Sequence, residues 1–247
     1  MNRDVLEPPV IFVSDVHLKQ GDAEYLARFI EFLRGPCMGA RHLVIHGDLF
    51  EFYVGPRQGR DPWWAPLHAA FRALAGNGTS ITVLHGNRDY QIEPGFAGGV
   101  LQVRPGDWSC LAGGKRLRIS HGDELCVDDW SYQIFGRWLL RLAPLRWLLR
   151  TLPFGLSCQL AVSYRRFSRA RWRGHTPGRL DSILKGAKMR LGEEDILVAG
   201  HIHQLAATDL DGRGTTVLYT TGAWEDGANH ILWDGRDFRL VMAASRG

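Results

Sequence analysis

Seven residues of this sequence carry side chains that bind hard or borderline metal ions, and they fall in five short blocks. Asp15 and His17 stand in D-x-H, Asp48 follows Gly47, Asn87 follows Gly86, His121 precedes Gly122, and His201 and His203 close G-H-x-H. Carboxylate, imidazole and amide oxygen together suit a borderline-hard divalent ion such as Mn2+ and exclude a thiolate-rich zinc site. Alternate residues of an extended segment share a face, so D-x-H and H-x-H each offer two ligands to one edge. Seven ligands are too many for one ion that keeps open positions, but they serve two ions if Asp48 bridges. Two such ions side by side can hold both the attacking oxygen and a phosphoryl oxygen. Any one of these residues alone could be a strand-end cap. Five separate blocks of the right ligand type are not explained that way. The glycines beside them suit sharp turns and a close approach of backbone to a bound ligand.

The segments around these blocks have the pattern needed to bring them together. Short apolar, β-branched runs predict strands over 9–15, 42–48, 80–89, 115–123, 195–203 and 215–224. Helical spacing closed by glycine predicts helices over 22–35 and 65–78. The tail 229–243 reads as a hairpin turning at Asp234-Gly235. Each ligand block lies at the carboxyl end of a predicted strand. In an open α/β sheet those ends line one crevice, where ligands bind. Residues 129–191 break the alternation: they carry no strand pattern and read as a helical cap inserted into a single domain spanning 1–247.

Composition sets the outer bounds. With 247 residues, 45% of them hydrophobic and 23% charged, the chain can bury a full core as one domain. The net charge of +4 is a mild basic excess that suits an anionic partner. Four cysteines, Cys37, Cys110, Cys126 and Cys158, lie far apart without a CxxC pair, so they read as reduced thiols of a cytosolic protein. The first residues show no apolar signal core, and no run of about 18 apolar residues occurs. A peripheral membrane contact stays open.

In type and in order, the five blocks resemble the calcineurin-like metallophosphoesterase superfamily, whose pattern is D-x-H, G-D, G-N-H-[ED], H and G-H-x-H. Within it, "GNRD" (86–89), "HGDELCVDD" (121–129) and the basic helical insertion are similar to the UDP-2,3-diacylglucosamine hydrolase family. The resemblance implies an α/β fold of the αββα sandwich type, with two packed mixed β-sheets flanked by helices and a helical cap. It implies two divalent ions, most often Mn2+: one on Asp15, His17, Asp48 and His203, the other on Asp48, Asn87, His121 and His201. It also implies catalytic roles for Asn87, Arg88 and His121. Asn87, Arg88, Asp129, Tyr132, Ser168 and His201 match positions that touch substrate. Of the Ser…Asn…Lys set of the family's cap, only Ser168 matches, because Trp172 and His175 stand at the other two places. The implied reaction splits the pyrophosphate of a UDP-linked acylated sugar, and the implied protein is a monomer on the cytoplasmic face of the inner membrane.

Arg88 stands where many superfamily members carry a histidine that protonates the leaving group. Such a proton matters when an alkoxide departs. A phosphate monoester, with a second pKa of about 6, leaves as a stable anion at neutral pH. A guanidinium can hold that developing charge and grip two phosphate oxygens. The alternative is a structural clasp between Arg88 and Asp89. The arginine weighs against a nuclease or phosphodiesterase, and the complete ligand set weighs against a non-catalytic scaffold.

The cap interleaves arginines (Arg137, Arg141, Arg146, Arg150) with Trp138, Trp147 and leucines. That pattern fits an interfacial helix on anionic lipid or an acyl-chain slot. It also describes a nucleic-acid surface or a helix packed on the sheet with a solvated basic face. A diphosphate site beneath it ranks lipid above nucleic acid.

Overall fold

The computed structural model describes residues 4–127, 179–190 and 192–242, together with 151, 152, 156, 159, 160 and 163. Twelve strands are found among the described residues. They are β1 (Asp4–Leu6), β2 (Val10–Val13), β3 (His42–His46), β4 (Ser80–Leu84), β5 (Leu101–Arg104), β6 (Trp108–Ala112), β7 (Lys115–Ile119), β8 (Ile196–Ala199), β9 (Leu205–Asp209), β10 (Val217–Thr221), β11 (His230–Trp233) and β12 (Phe238–Val241). The α-helices that lie wholly among the described residues are α1 (Ala23–Arg34), the one-turn α2 (Pro56–Gly59), α3 (Ala65–Gly76) and α4 (Arg179–Met189).

The strands form two six-stranded sheets, ordered β12-β11-β2-β3-β4-β5 and β1-β6-β7-β8-β10-β9. In the first, β2, β3, β4 and β5 run parallel, with β11 antiparallel to β2. In the second, β7, β8 and β10 run parallel, with β6 and β9 antiparallel beside them. Every predicted strand and both predicted helices are present. Strands β1, β5, β6 and β9 were not expected, since they are short and mostly only half-apolar. The crevice is also not the rim of one open sheet. It lies where the parallel strand ends of two sheets meet.

Period-two alternation builds the layers. Val10 and Phe12 face the other sheet, with Val44, Leu84, Leu117, Ile119, Ile196 and Val198. Their neighbours Ile11 and Val13 face the helices, with Leu43, Ile45, Ile81 and Val83. Leu26, Phe29, Ile30 and Leu33 of α1, and Leu67, Ala70, Phe71 and Leu74 of α3, meet that outer face. Both sets follow the i, i+3, i+4, i+7 spacing of one helical face. On the second sheet, Ile183 and Ala187 of α4 pack against Leu197, Ala199 and Leu218. The result is helix, sheet, sheet, helix, as an αββα sandwich requires. A sheet buried on both faces needs nearly continuous apolar runs, which explains why β2, β3, β4 and β8 are so legible.

Helix α1 starts where Asp22 accepts the Tyr25 N–H at 3.1 Å. It ends where Gly35 N–H reaches Glu31 O at 2.8 Å. Helix α4 closes the segment expected as the cap and belongs to the flanking layer. Most of 129–191 lies outside the described residues.

Candidate metal centre

The strands end sooner than expected, and the ligand residues sit just past them. Asp15, His17, Asp48, His201 and His203 all have positive φ, between 54° and 69°. Non-glycine residues seldom adopt this conformation, and it persists only where surrounding structure over-determines it. Here it stops the ladder and turns each backbone at the rim. Three neighbours must be glycine for space: a Cβ on Gly47 would collide with His121 and Gly86, one on Gly86 with Asp48, and one on Gly200 with Ser14 and Asp15. These glycines therefore let one ligand-bearing loop approach another.

Two groups in the assembled rim could hold a metal ion: Asp15, His17 and His203, and Asp15, Asp48 and His121. Asp15 Oδ1 lies 3.4 Å from His203 Nε2 and 3.9 Å from His17 Nε2. His17 Nε2 and His203 Nε2 are 3.4 Å apart. His121 Nε2 lies 3.6 Å from Asp48 Oδ2, and its ring stands edge-on to that of His201 with centroids 5.2 Å apart. Asp15 thus belongs to both groups, whereas the sequence pattern gave Asp48 the shared place. Asn87, half-buried, follows Gly86 beside the Asp48 loop.

The donor set fits a divalent cation. Asp15 Oδ2 is fixed by the Ser14 hydroxyl and by the His201 N–H at 2.8 Å, and Ser14 Oγ is 2.6 Å from Thr221 Oγ1. Asp15 Oδ1 is buried and makes no hydrogen bond. A buried carboxylate oxygen left so is costly, and a cation is the partner that would satisfy it. Burial works against charge on His121, yet Asp48 and Asp15 outweigh it and push its pKa up to about 9. Burial likewise pushes Asp15 upward, but His203, His121 and His17 hold it well below the usual carboxylate range. The cluster calls for positive charge at its centre.

The surroundings orient the ligands. His121 Nδ1 is 3.3 Å from His46 O, which leaves Nε2 toward Asp48. His46 is buried beside it, with Nδ1 3.0 Å from Ser120 O. His85 Nε2 is 2.9 Å from Ile92 O. His68 and His230 pack against Phe96 and Phe32, away from the ligands.

Arg88 does not clasp Asp89. Asp89 is engaged elsewhere: its carboxylate accepts the N–H groups of Gly86, Asp48, Leu49 and Phe50, tying the two loops together. The Arg88 guanidinium instead places Nε 3.0 Å from Asp48 Oδ2 and Nη1 2.9 Å from Glu51 Oε2. Nη1 also lies 3.0 Å from His17 Nδ1. Ser14, Glu51, Asp89 and Thr221 were not anticipated, because their roles depend on partners distant in sequence. Asp129, Tyr132, Ser168 and the cap arginines lie outside the described residues.

No family model matches the chain. Among individual proteins, it is 34% identical over 212 residues to the UDP-2,3-diacylglucosamine hydrolase of Ralstonia nicotianae, covering 79% of this chain and 77% of that one. It is 33% identical over 228 residues to that of Pseudomonas aeruginosa, covering 87% and 91%. With the Pseudomonas savastanoi pv. phaseolicola protein of the same name, identity is 33% over 240 residues, covering 94% of each. The solved structure of TT1561 from Thermus thermophilus aligns over 95% of this chain and 98% of its own at 12% identity, with a TM-score of 0.42. A shared length this great, at a third of positions identical and with every ligand block in place, means that the chain belongs to the UDP-2,3-diacylglucosamine hydrolase family.

Proposed function

We propose that this protein hydrolyses the pyrophosphate of UDP-2,3-diacylglucosamine, or a closely similar UDP-linked acylated sugar, to UMP and the acylated sugar 1-phosphate. Relatives over most of the chain bear the name of that hydrolase. The observation that carries the choice of a diphosphate is Arg88, a permanent cation fixed among Asp48, Glu51 and His17. It has no proton to give at neutral pH and can only balance negative charge.

Asp15, His17, Asp48 and His203 would hold one divalent ion, and Asp48, Asn87, His121 and His201 the other, with Mn2+ the expected metal. The position of Asp15 in both geometric groups favours a second division in which Asp15 is the shared ligand. When bound, the ions activate water and polarise a phosphoryl oxygen. The chain's own contribution is positional. Asp89 holds the Asp48 and Asn87 loops in register, Ser14 and Thr221 fix Asp15, and His46 orients His121. Arg88 then offers its guanidinium to the departing phosphate.

The reading extends to a lipid surface. No helix among the described residues is long and apolar enough to cross a membrane. Leu156 and Leu160, one helical turn apart in the cap segment, are 44% and 47% exposed. With the cap arginines, they would rest on anionic lipid at the cytoplasmic face of the inner membrane, and nucleic acid is not the partner. Replacing Leu156, Leu160, Trp138 and Trp147 by Ser should release the protein from anionic vesicles in a flotation assay; unchanged flotation would sink the membrane reading.

The activity itself is tested by mass spectrometry of products from UDP-2,3-diacylglucosamine with Mn2+, against bis(nitrophenyl) phosphate. UMP and acylated sugar 1-phosphate as the main products support the proposal. Preference for the diester overturns it.

A further inference from the structure

Glu51 is the residue in this crevice that the ligand pattern leaves without a task. Its side chain is 10% exposed, and Oε2 is 2.9 Å from Arg88 Nη1. A buried carboxylate is costly unless paired, so its partner there is a functional clue. The backbone around it is built to hold that pair. Leu18 and Phe50 form an isolated parallel bridge, Glu51 N–H donates to Leu18 O at 3.0 Å, and Tyr53 N–H donates to Arg88 O at 2.9 Å. Arg88 N–H in turn donates to Asp48 Oδ1 at 3.0 Å. Three loops are thereby fixed to one another at the point where Glu51 meets the guanidinium.

Guanidinium geometry then limits what Arg88 can still do. Nε is engaged by Asp48, and Nη1 by Glu51 and His17. Nη2 makes no hydrogen bond among the described residues. Arginine has five N–H donors in a rigid plane, so fixing Nε and Nη1 fixes where the two N–H groups of Nη2 point. We propose that Glu51 is a positioning residue: its carboxylate, with that of Asp48, locks the Arg88 plane so that Nη2 is the donor presented to the departing phosphate. This rests on the reading of Arg88 given above. It narrows that reading, since a two-nitrogen grip on two phosphate oxygens would require Arg88 to release Asp48 or Glu51.

The test is a double-mutant cycle on the Mn2+-loaded full chain with UDP-2,3-diacylglucosamine, comparing Glu51→Ala, Glu51→Gln, Arg88→Ala and Glu51→Ala/Arg88→Ala. Metal content and melting temperature are measured for each protein. Glu51→Ala should lower kcat on the order of tenfold with little change in KM, because positioning counts only as charge develops. Glu51→Gln, whose amide oxygen still accepts from Nη1, should recover part of the loss and guards against a folding defect in the alanine variant. In the Arg88→Ala background, Glu51→Ala should cost nothing further. Full multiplication of the two losses, or wild-type kcat in Glu51→Ala beside an impaired Arg88→Ala, overturns the positioning role and leaves the Arg88 reading intact. Wild-type turnover in Arg88→Ala overturns both.

Discussion

Arg88 is bound to Asp48 and not to its chain neighbour Asp89, with Nε 3.0 Å from Asp48 Oδ2. On the roles proposed above, a cation assigned to substrate chemistry is thereby joined to a carboxylate assigned to metal binding. On that reading, binding of metal and balancing of leaving-group charge would be coupled through one side chain.

Arg88→Ala should lower kcat/KM for the UDP-linked acylated sugar on the order of 10²–10³-fold. Arg88→His should not restore it, since the departing phosphate needs no proton. The same histidine variant should gain, if anything, on an alkyl phosphodiester, whose alkoxide does need one. Steady-state rates on both substrates, with metal content determined alongside, decide this. Recovery of the diphosphate reaction by histidine would refute the leaving-group argument.

Asp48→Asn should abolish turnover while the fold persists, and Asp15→Asn should do the same. The two differ in metal content. If Asp15 is the shared ligand, its loss should deplete both ions, while Asp48→Asn should retain one. Elemental analysis after dialysis, with circular dichroism as the folding control, separates the two arrangements.

Gly86→Ala should be strongly destabilising, because its Cβ would collide with Asp48. Loop and carboxylate must shift to relieve that contact, at a cost of about 1–3 kcal/mol. A lower urea midpoint together with weakened Mn2+ binding is expected. Wild-type values for both would show that the two loops are not in contact.

Burial pushes His46 down to about 4 from the ordinary histidine value. A depressed folded pKa means neutral His46 costs nothing above about pH 6.5, and stability is lost as pH falls from there toward 4. Asp89 and Glu124, both pushed up to about 7 by burial, titrate with the opposite sign. The difference between two proteins is therefore the quantity to measure. Against wild type, His46→Asn should gain in relative stability on acidification from pH 6.5 to 4, by an amount on the order of 3 kcal/mol. Parallel urea-midpoint curves would show that His46 charges freely in the folded protein.

Much of the architecture was legible because burial on both faces leaves a plain mark. Strands β2, β3, β4 and β8 are continuous apolar runs, and the D-x-H, G-D, G-N, H-G and G-H-x-H blocks follow the ends of the inner strands. The candidate ligand types and the helix–sheet alternation follow from residue type and period, which are local properties. Strands β1, β5, β6 and β9 were not legible, since each is three to five residues long and buries only some of its side chains, and half-apolar segments of that length also occur in loops.

Pairing between distant residues was decided only by the tertiary structure. Asp89 looks like a partner for Arg88 in sequence, yet four backbone N–H groups from two loops converge on its carboxylate and outcompete one neighbouring side chain. Glu51 is an ordinary surface-type residue until Leu18 and Phe50 pair and bring it to Arg88. Asp15 takes its central place because Ser14 and the His201 N–H hold one oxygen and leave the other to the two histidines. Residue type sets which atoms can bind a cation. Which atoms are left free to bind it depends on the competition for hydrogen bonds, and that is settled only when the two sheets pack together.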